Sequence, residues 1–320
     1  MAQKPYVIAL EEHYYDPEVK GRYEGADAAL GRAPHLAERL DDIGALRIRE
    51  MDEAGVDLQV LSHGAPSVQK LDPESAVAIS RRANDRLNEA CRANPTRLSA
   101  FCVCPTPDPK GAADELERTV TKYGFKGAMI HGHTQGAFLD EKKFWGIFET
   151  AEKLDVPIYL HPAMPHPDAI KAYFAGYEEL QGSAWGFALD TSCHFLRIMF
   201  AGVFDAYPKL KIVLGHLGEG LPFAMHRLQD HTYRSAKRRG LKKTARDYIK
   251  DNLVVTTSGN WYEPAFVCTL LALGIDNILF AVDWPYEPNR VAKDFLQNLS
   301  ISDEDKEKLA RLNSERLFKM

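Results

Sequence analysis

Tyr6-Val7-Ile8-Ala9-Leu10-Glu11-Glu12-His13 is a short apolar run that stops abruptly at charge. Such a run reads as a buried parallel strand rather than as half of a hairpin, because neither face is polar. Side chains alternate along a strand with period two, so Glu11 and His13 share one side and Glu12 points away. A carboxylate and an imidazole on one side, at the C-terminal mouth of a buried strand, supply half of a metal site. Taken alone, these residues fit a surface turn with a salt-bridged Glu and a solvated His equally well.

The rest of the chain decides between the two. Runs of the same kind recur at residues 56–61, 97–104, 125–130, 156–160, 210–214, 253–257 and 277–282. Helical stretches alternate with them. Residues 36–54 read as a helix closed by Gly55, a natural C-cap. Asp72-Pro73-Glu74 opens another, with an N-cap, Pro at the first position and Ala76, Ile79, Ala83, Leu87 and Ala90 at helical spacing. Helices are also expected at 111–123, 141–154, 221–238 and, behind the cap Ser302, at 302–318. Residues 167–207 read as a helical hairpin-like region, and 16–34 as a functional loop too long for a plain βα turn. Eight strand-like runs alternating with helices imply a parallel α/β fold. They fit a (β/α)8 TIM barrel forming one domain over residues 1–320. An open doubly wound sheet is the runner-up, but no glycine-rich phosphate loop follows the first strand.

Composition narrows the classes further. Hydrophobic content of 45% and charged content of 27% suit a soluble globular chain. A net charge of −5 gives no general pull toward nucleic acid. The basic run 237–243 reads as a solvated face. The five cysteines, Cys91, Cys102, Cys104, Cys193 and Cys268, are odd in number and lack zinc-finger or CxxC spacing, so reduced thiols in a cytoplasmic protein are expected. Lys4 and Glu11-Glu12 interrupt any signal-peptide core, and no stretch approaches the ~18 apolar residues of a membrane span.

In a barrel, residues at the C-terminal strand ends converge on one mouth. There the first strand brings Glu11 and His13, the fifth His161, the sixth His216 and the eighth Asp283. One such His is more often a structural residue than a ligand; coincidence at several separate strand ends is a poor explanation. Nitrogen and carboxylate donors together suit one divalent ion, Zn²⁺ or Mn²⁺. His216 and Glu219, three apart where the sixth strand turns into a helix, have a spacing that lets a carboxylate orient an imidazole. His63, His131 and His133 sit on mouth loops and are expected to shape the pocket. Trp185, Phe187, Trp284 and Tyr286 are candidates to wall it around a flat ring, although most buried aromatics are simply core.

Five segments carry a resemblance to a known family: Ala9-Leu10-Glu11-Glu12-His13, His131-Gly132-His133-Thr134-Gln135-Gly136, Tyr159-Leu160-His161-Pro162, Gly215-His216-Leu217-Gly218-Glu219 and Asp283-Trp284-Pro285-Tyr286. With them the chain resembles the metal-dependent nonoxidative decarboxylase branch of the amidohydrolase superfamily. That branch includes the γ-resorcylate, 2,3-dihydroxybenzoate, 5-carboxyvanillate and aminocarboxymuconate-semialdehyde decarboxylases. The resemblance implies Glu11, His161 and Asp283 as metal ligands, with His13 as a fourth. It implies one metal rather than two, because Ile130 ends the fourth strand where superfamily members with two metals carry a bridging lysine. Arg227, eight residues beyond Glu219 and two turns down the same helical face, resembles the family's arginine that supports the dyad or the substrate; a plain surface ion pair is the competing reading. Arg32, in the long loop, corresponds to an arginine that reaches a neighbouring subunit's site in a related decarboxylase, which implies a homodimer or homotetramer.

The expected activity is decarboxylation of an ortho-hydroxylated benzoate, a small aromatic carboxylate, to a phenol and CO2. Asp283 would protonate the ring carbon, with His216 and Glu219 keeping charge and protons in register, and His63, His131, Trp284, Arg227 and Arg32 contacting substrate. The alternatives are a hydrolase of a lactone or amide, a hydratase of an unsaturated dicarboxylate, and a non-catalytic barrel. Glu11, where hydrolytic relatives carry His, weighs against the first, and the intact ligand set against the last.

Overall fold

The computed structural model describes residues 6–24, 27 and 33–320. Its strands are β1 (Ile8–Tyr14), β2 (Leu58–His63), β3 (Leu98–Ala100), β4 (Cys102–Val103), β5 (Ala128–His131), β6 (Ile158–His161), β7 (Ile212–Leu214), β8 (Leu253–Thr256) and β9 (Ile278–Leu279). All pairings are parallel, in the order β1-β2-β3 and β4-β5-β6-β7-β8-β9. β3 and β4 are two halves of one position. At their joint the Phe101 amide donates to Leu61, on the β2 side, and the Cys102 amide donates to Gly127, on the β5 side. A parallel bridge between Leu10 and Ala281 joins β9 back to β1. The ring therefore closes as a (β/α)8 barrel.

The interior is filled by alternate residues of the strands: Ile8, Leu10, Val60, Phe101, Met129, Tyr159, Val213, Val254 and Leu279. Phe318 of the last helix packs against them at the N-terminal end, 5.7 Å from the Phe101 ring centroid. A larger apolar shell lies between the strands and the surrounding helices. Cys102 and Cys104 belong to that shell, where burial pushes the Cys102 thiol up to about 12. Among the described residues no helix is long and apolar enough to cross a membrane.

The structure alters several expectations. The stretch 36–54 is two helices, Pro34–Asp41 and Ala45–Ala54, because the Asp42 carboxylate turns back to accept from the Gly44 and Arg47 amides and restarts the helix. Helices also stand at Pro17–Lys20, inside the expected loop, and at Ala245–Asn252, Glu263–Leu273 and Asn289–Asn298, where none is expected. The last helical stretch is broken by a π-type turn at Lys308–Leu312. β1 runs past the charged residues to Tyr14, with a bulge between Ala9 and Glu12 at which Glu11 takes φ +63°. Such bulges re-aim side chains beside active sites.

Glu12 does point away from the mouth. It accepts from the Val282 amide (3.0 Å) and Gln59 Nε2 (3.2 Å). Arg47 donates to Gln59 Oε1 (3.1 Å) and to the His13 carbonyl (2.6 Å). Burial pushes the Glu12 carboxyl well up and the Arg47 guanidinium down to about 9.

Candidate active site

The bulge, together with the ends of β6 and β9, brings Glu11, His13, His161 and Asp283 together, with one donor atom from each all within 4.8 Å of one another. His13 Nδ1 lies 3.1 Å from Ser62 Oγ, and His161 Nδ1 lies 2.7 Å from the Pro162 carbonyl. The Pro162 carbonyl can only accept, so His161 carries a proton on Nδ1, and the two Nε2 atoms face inward, 3.1 Å apart. Glu11 Oε1 is 3.2 Å from His161 Nε2, and Asp283 Oδ1 is 3.1 Å from His13 Nε2, yet neither oxygen has a hydrogen-bond donor. Two imidazole nitrogens and two carboxylate oxygens converging in a buried space are costly unless a cation sits among them. The donor set fits one divalent ion.

Charge at the site follows from these contacts. Burial alone would raise the Glu11 carboxyl, but His216, His161 and His13 hold it far below the usual range. Asp283 behaves alike: burial raises it, and the contacts to His13 and His216 more than offset that. Burial pushes the His13 imidazole down, against the pull of Asp283 and Glu11.

His216 stands beside this cluster, with Nε2 3.6 Å from Glu11 Oε1 and 3.7 Å from Asp283 Oδ2. Its Nδ1 lies 2.7 Å from Glu219 Oε1. Burial would lower the imidazole, but Glu219, Glu11 and Asp283 hold it well above its ordinary value. The expected dyad is therefore formed, although not on a helix. Residues 216–220 all have positive φ, from +54° at His216 to +83° at Gly218. This left-handed turn folds Glu219 back onto His216, and the right-handed helix Leu221–Arg238 begins only after it. Three non-glycine residues in that region cost on the order of 1–2 kcal/mol each, a concentration of strain typical of functional sites.

A cavity of about 430 Å³ opens beside Asp283, His161 and His216. Its wall is mostly apolar and includes Pro66, Met164, Phe187 and Tyr286, with Tyr15, Lys70 and Asp27 supplying polar groups. The volume suits a flat ring with a few polar contacts.

The family model described as amidohydrolase matches residues 13–320. The chain belongs to the amidohydrolase family. Among curated proteins it is 40% identical over 324 residues to the γ-resorcylate decarboxylase of Polaromonas sp., covering 98% of each chain. It is 40% identical over 331 residues to that of Rhizobium sp., again covering 98% of each. Among solved structures it superposes on a 2,6-dihydroxybenzoate decarboxylase complexed with 2,6-dihydroxybenzoate with a TM-score of 0.91 at 38% identity, covering 99% of this chain and 100% of the other. The 5-carboxyvanillate decarboxylase of Novosphingobium aromaticivorans, bound to manganese and a nitrobenzoic acid, gives 0.92 at 33% identity, covering 100% and 97%.

Other expected site residues of this amidohydrolase fall elsewhere. His63 is buried with both ring nitrogens engaged: Nε2 accepts from the Asp16 amide (3.0 Å) and Nδ1 lies 2.8 Å from the Gly64 carbonyl. His131 stands behind His161, Nδ1 to Nδ1 at 3.1 Å, and does not line the cavity. Trp284 turns outward, where its N–H meets Glu50 Oε2 (2.9 Å) and the Arg47 guanidinium lies 4.0 Å over its ring. A buried indole takes the face that satisfies its N–H, so Trp284 does not wall the cavity. Arg227 is exposed on the helix Leu221–Arg238. The two-turn phase expected from Glu219 fails because Glu219 precedes that helix. Arg32 lies outside the described residues. Sequence reasoning missed Tyr159, Thr256 and Ser258, which touch the Glu11 carboxylate or each other.

Proposed function

We propose that this amidohydrolase is a divalent-metal-dependent carboxy-lyase that converts an ortho-hydroxylated benzoate of the 2,6-dihydroxybenzoate kind to a phenol and CO2. One observation carries the reading: four donor atoms, from Glu11, His13, His161 and Asp283, converge at the wall of a ring-sized apolar cavity. The named activities of the relatives, and the manganese bound in a related structure, support it.

The metal, manganese by this analogy and held by those four residues, would supply positive charge to the substrate's carboxylate and phenolate oxygens. Phe187, Met164 and Tyr286 hold the ring. His216, kept charged by Glu219, passes a proton to Asp283, whose Oδ2 is 3.7 Å away. Asp283 delivers it to the ring carbon bearing the carboxylate. The bond from that carbon to the carboxylate then breaks, its electron pair restores the aromatic ring, and CO2 leaves. Asp283 ends as a carboxylate, ready for the next proton.

Isotope incorporation tests this against hydrolysis. In D2O the phenol should carry one deuterium at the carbon that lost CO2. An acid product labelled from H2¹⁸O, with no ring deuterium, would overturn the reading. The free thiols suit a cytoplasmic location. The exposed Phe223, Leu271 and Tyr262 on and beside two neighbouring outer helices suit a homodimer or homotetramer, across which Arg32 would reach the substrate carboxylate. A monomer by light scattering at assay concentration would remove that part.

A further inference from the structure

Glu11 has two carboxylate oxygens in sharply different surroundings. Oε1 faces His161 and His216 with no hydrogen-bond donor. Oε2 is taken up from behind: the Tyr159 hydroxyl donates to it, and Thr256 Oγ1 lies 3.2 Å away. Tyr159 and Thr256 are themselves 2.8 Å apart. The contacts continue. Thr256 Oγ1 lies 3.0 Å from Ser258 Oγ, and Ser258 Oγ accepts from the His216 amide at 3.1 Å. All four side chains are fully buried or nearly so, and a Cβ on Gly215 would come within 2.9 Å of both Glu11 oxygens. The carboxylate is therefore seated against bare backbone and has no room to swing.

Each hydroxyl has one proton, so the directions can be counted. The His216 N–H occupies a lone pair of Ser258. The carboxylate can only accept, so the Thr256 and Tyr159 protons go to Glu11 Oε2, and the Ser258 proton is the one left for the contact with Thr256. These links point toward the same carboxylate oxygen, and the Tyr159–Thr256 contact carries no proton of its own.

We infer that Tyr159, Thr256 and Ser258 are positioning residues that make Glu11 a one-oxygen metal ligand and tie its carboxylate to the backbone of His216. Two donors on Oε2 leave only Oε1 to hold an ion, so a position that a two-oxygen carboxylate would take would remain for a substrate oxygen. The link through Ser258 holds His216 in its left-handed turn while Glu11 is in place, so ligand and proton carrier keep a fixed separation. Groups that orient ligands from behind commonly change metal affinity 10- to 100-fold when removed.

The inference rests on the metal assignment proposed above, and the test separates the two. Mn²⁺ is titrated into chelator-treated wild type, Thr256→Val, Thr256→Ser and Tyr159→Phe, and affinity is read by the electron paramagnetic resonance of free Mn²⁺. Thr256→Val keeps the shape and loses the hydroxyl; Thr256→Ser keeps the hydroxyl and loses the methyl. Hydroxyl positioning predicts a loss on the order of 10- to 100-fold in Thr256→Val and Tyr159→Phe, with Thr256→Ser close to wild type. In Thr256→Val the KM should rise more than kcat falls, because the open position is compromised. If Thr256→Val does not fold, Tyr159→Phe carries the same comparison. Wild-type affinity in Thr256→Val or Tyr159→Phe, or a larger loss in Thr256→Ser than in Thr256→Val, overturns the inference and leaves the metal assignment standing. Absence of Mn²⁺ binding by the wild type overturns both.

Discussion

Gly218 and Gly220 lie two residues apart in the left-handed turn, with φ of +83° and +78°, yet their surroundings differ. A Cβ on Gly218 would lie 2.9 Å from Val255 Cγ1 and 3.2 Å from Pro222 Cδ, whereas one on Gly220 would meet nothing within 4 Å. Replacing each with Ala therefore separates backbone strain from crowding. Strain costs about 1–2 kcal/mol, partly offset by ~0.4–1 kcal/mol from the stiffer unfolded chain. A net loss of about 1 kcal/mol is expected for Gly220→Ala. Gly218→Ala adds an overpacking cost of ~1–3 kcal/mol, because Val255 is β-branched and Pro222 a ring, neither of which moves aside cheaply. Its total is about 2–4 kcal/mol. With unfolding entropy near 2.1 cal/mol/K per residue, 320 residues make each kcal/mol worth about 1.5 °C. The expected falls in Tm, by circular dichroism in chelator, are then about 1–2 °C and about 3–6 °C. Function should split further. The displaced turn carries the 2.7 Å contact between His216 and Glu219. An ångström of misplacement costs about 10²-fold, so Gly218→Ala should lose turnover on that order at unchanged metal content. Equal Tm shifts for the two variants, or full turnover in Gly218→Ala, would refute the reasoning.

Elemental analysis should find about one metal per chain, and His161→Ala should lose most of it because the three remaining donors no longer enclose the ion. Asp283→Asn keeps an oxygen ligand but has no acidic proton, so turnover should fall by about 10²–10⁴-fold, beyond its loss of metal. The pH dependence has a defined sign. The raised pKa of His216 in the folded state means that its stabilisation is fully present below about pH 6.5 and is lost as pH rises through the folded value. In chelator, Tm should therefore decline over that range. Glu219→Gln should flatten the decline, and an unchanged slope would show that another group sets it.

The parts of the site legible in the sequence are those that strand physics writes into the chain. A strand buried on both faces must be apolar throughout, so Ile158 to Leu160 or Ile212 to Leu214 stands out against its surroundings. The first polar residue after it then marks the barrel mouth, which puts Glu11, His161, His216 and Asp283 on one side. The period-two reading of Glu11 and His13 reached the right side for an incomplete reason: a bulge with φ +63° at Glu11, not plain alternation, sets its aim. Position beyond the strand end was harder. Arg227 was phased from Glu219 as if one helix held both, but the turn at 216–220 is left-handed. Its only mark in the sequence is the alternation of Gly218 and Gly220. The unread helices were missed for simple causes. Glu263–Leu273 is apolar nearly all round and shows no stripe, and Ala245–Asn252 is short, although its capping box, Thr244 with Asp247, was there to be read.

Trp284 and Thr256 make the same point from opposite directions. An aromatic next to a ligand invites a role at the substrate, yet Trp284 is claimed by Glu50 and Arg47 on the outer side of β9. A threonine ending an apolar strand looks like an ordinary β-former, yet Thr256 reaches the ligand carboxylate. Residue type was therefore a weaker guide than the layer of the barrel each side chain enters. Tyr159 belongs to the interior layer along with Val213 and Val254, where a hydroxyl must find a partner or pay for its burial. At the top of that layer the available acceptor is Glu11. Polar side chains at interior positions of the last strand layer are the signal that finds such residues, since they must pair with one another and with the ligand cluster above.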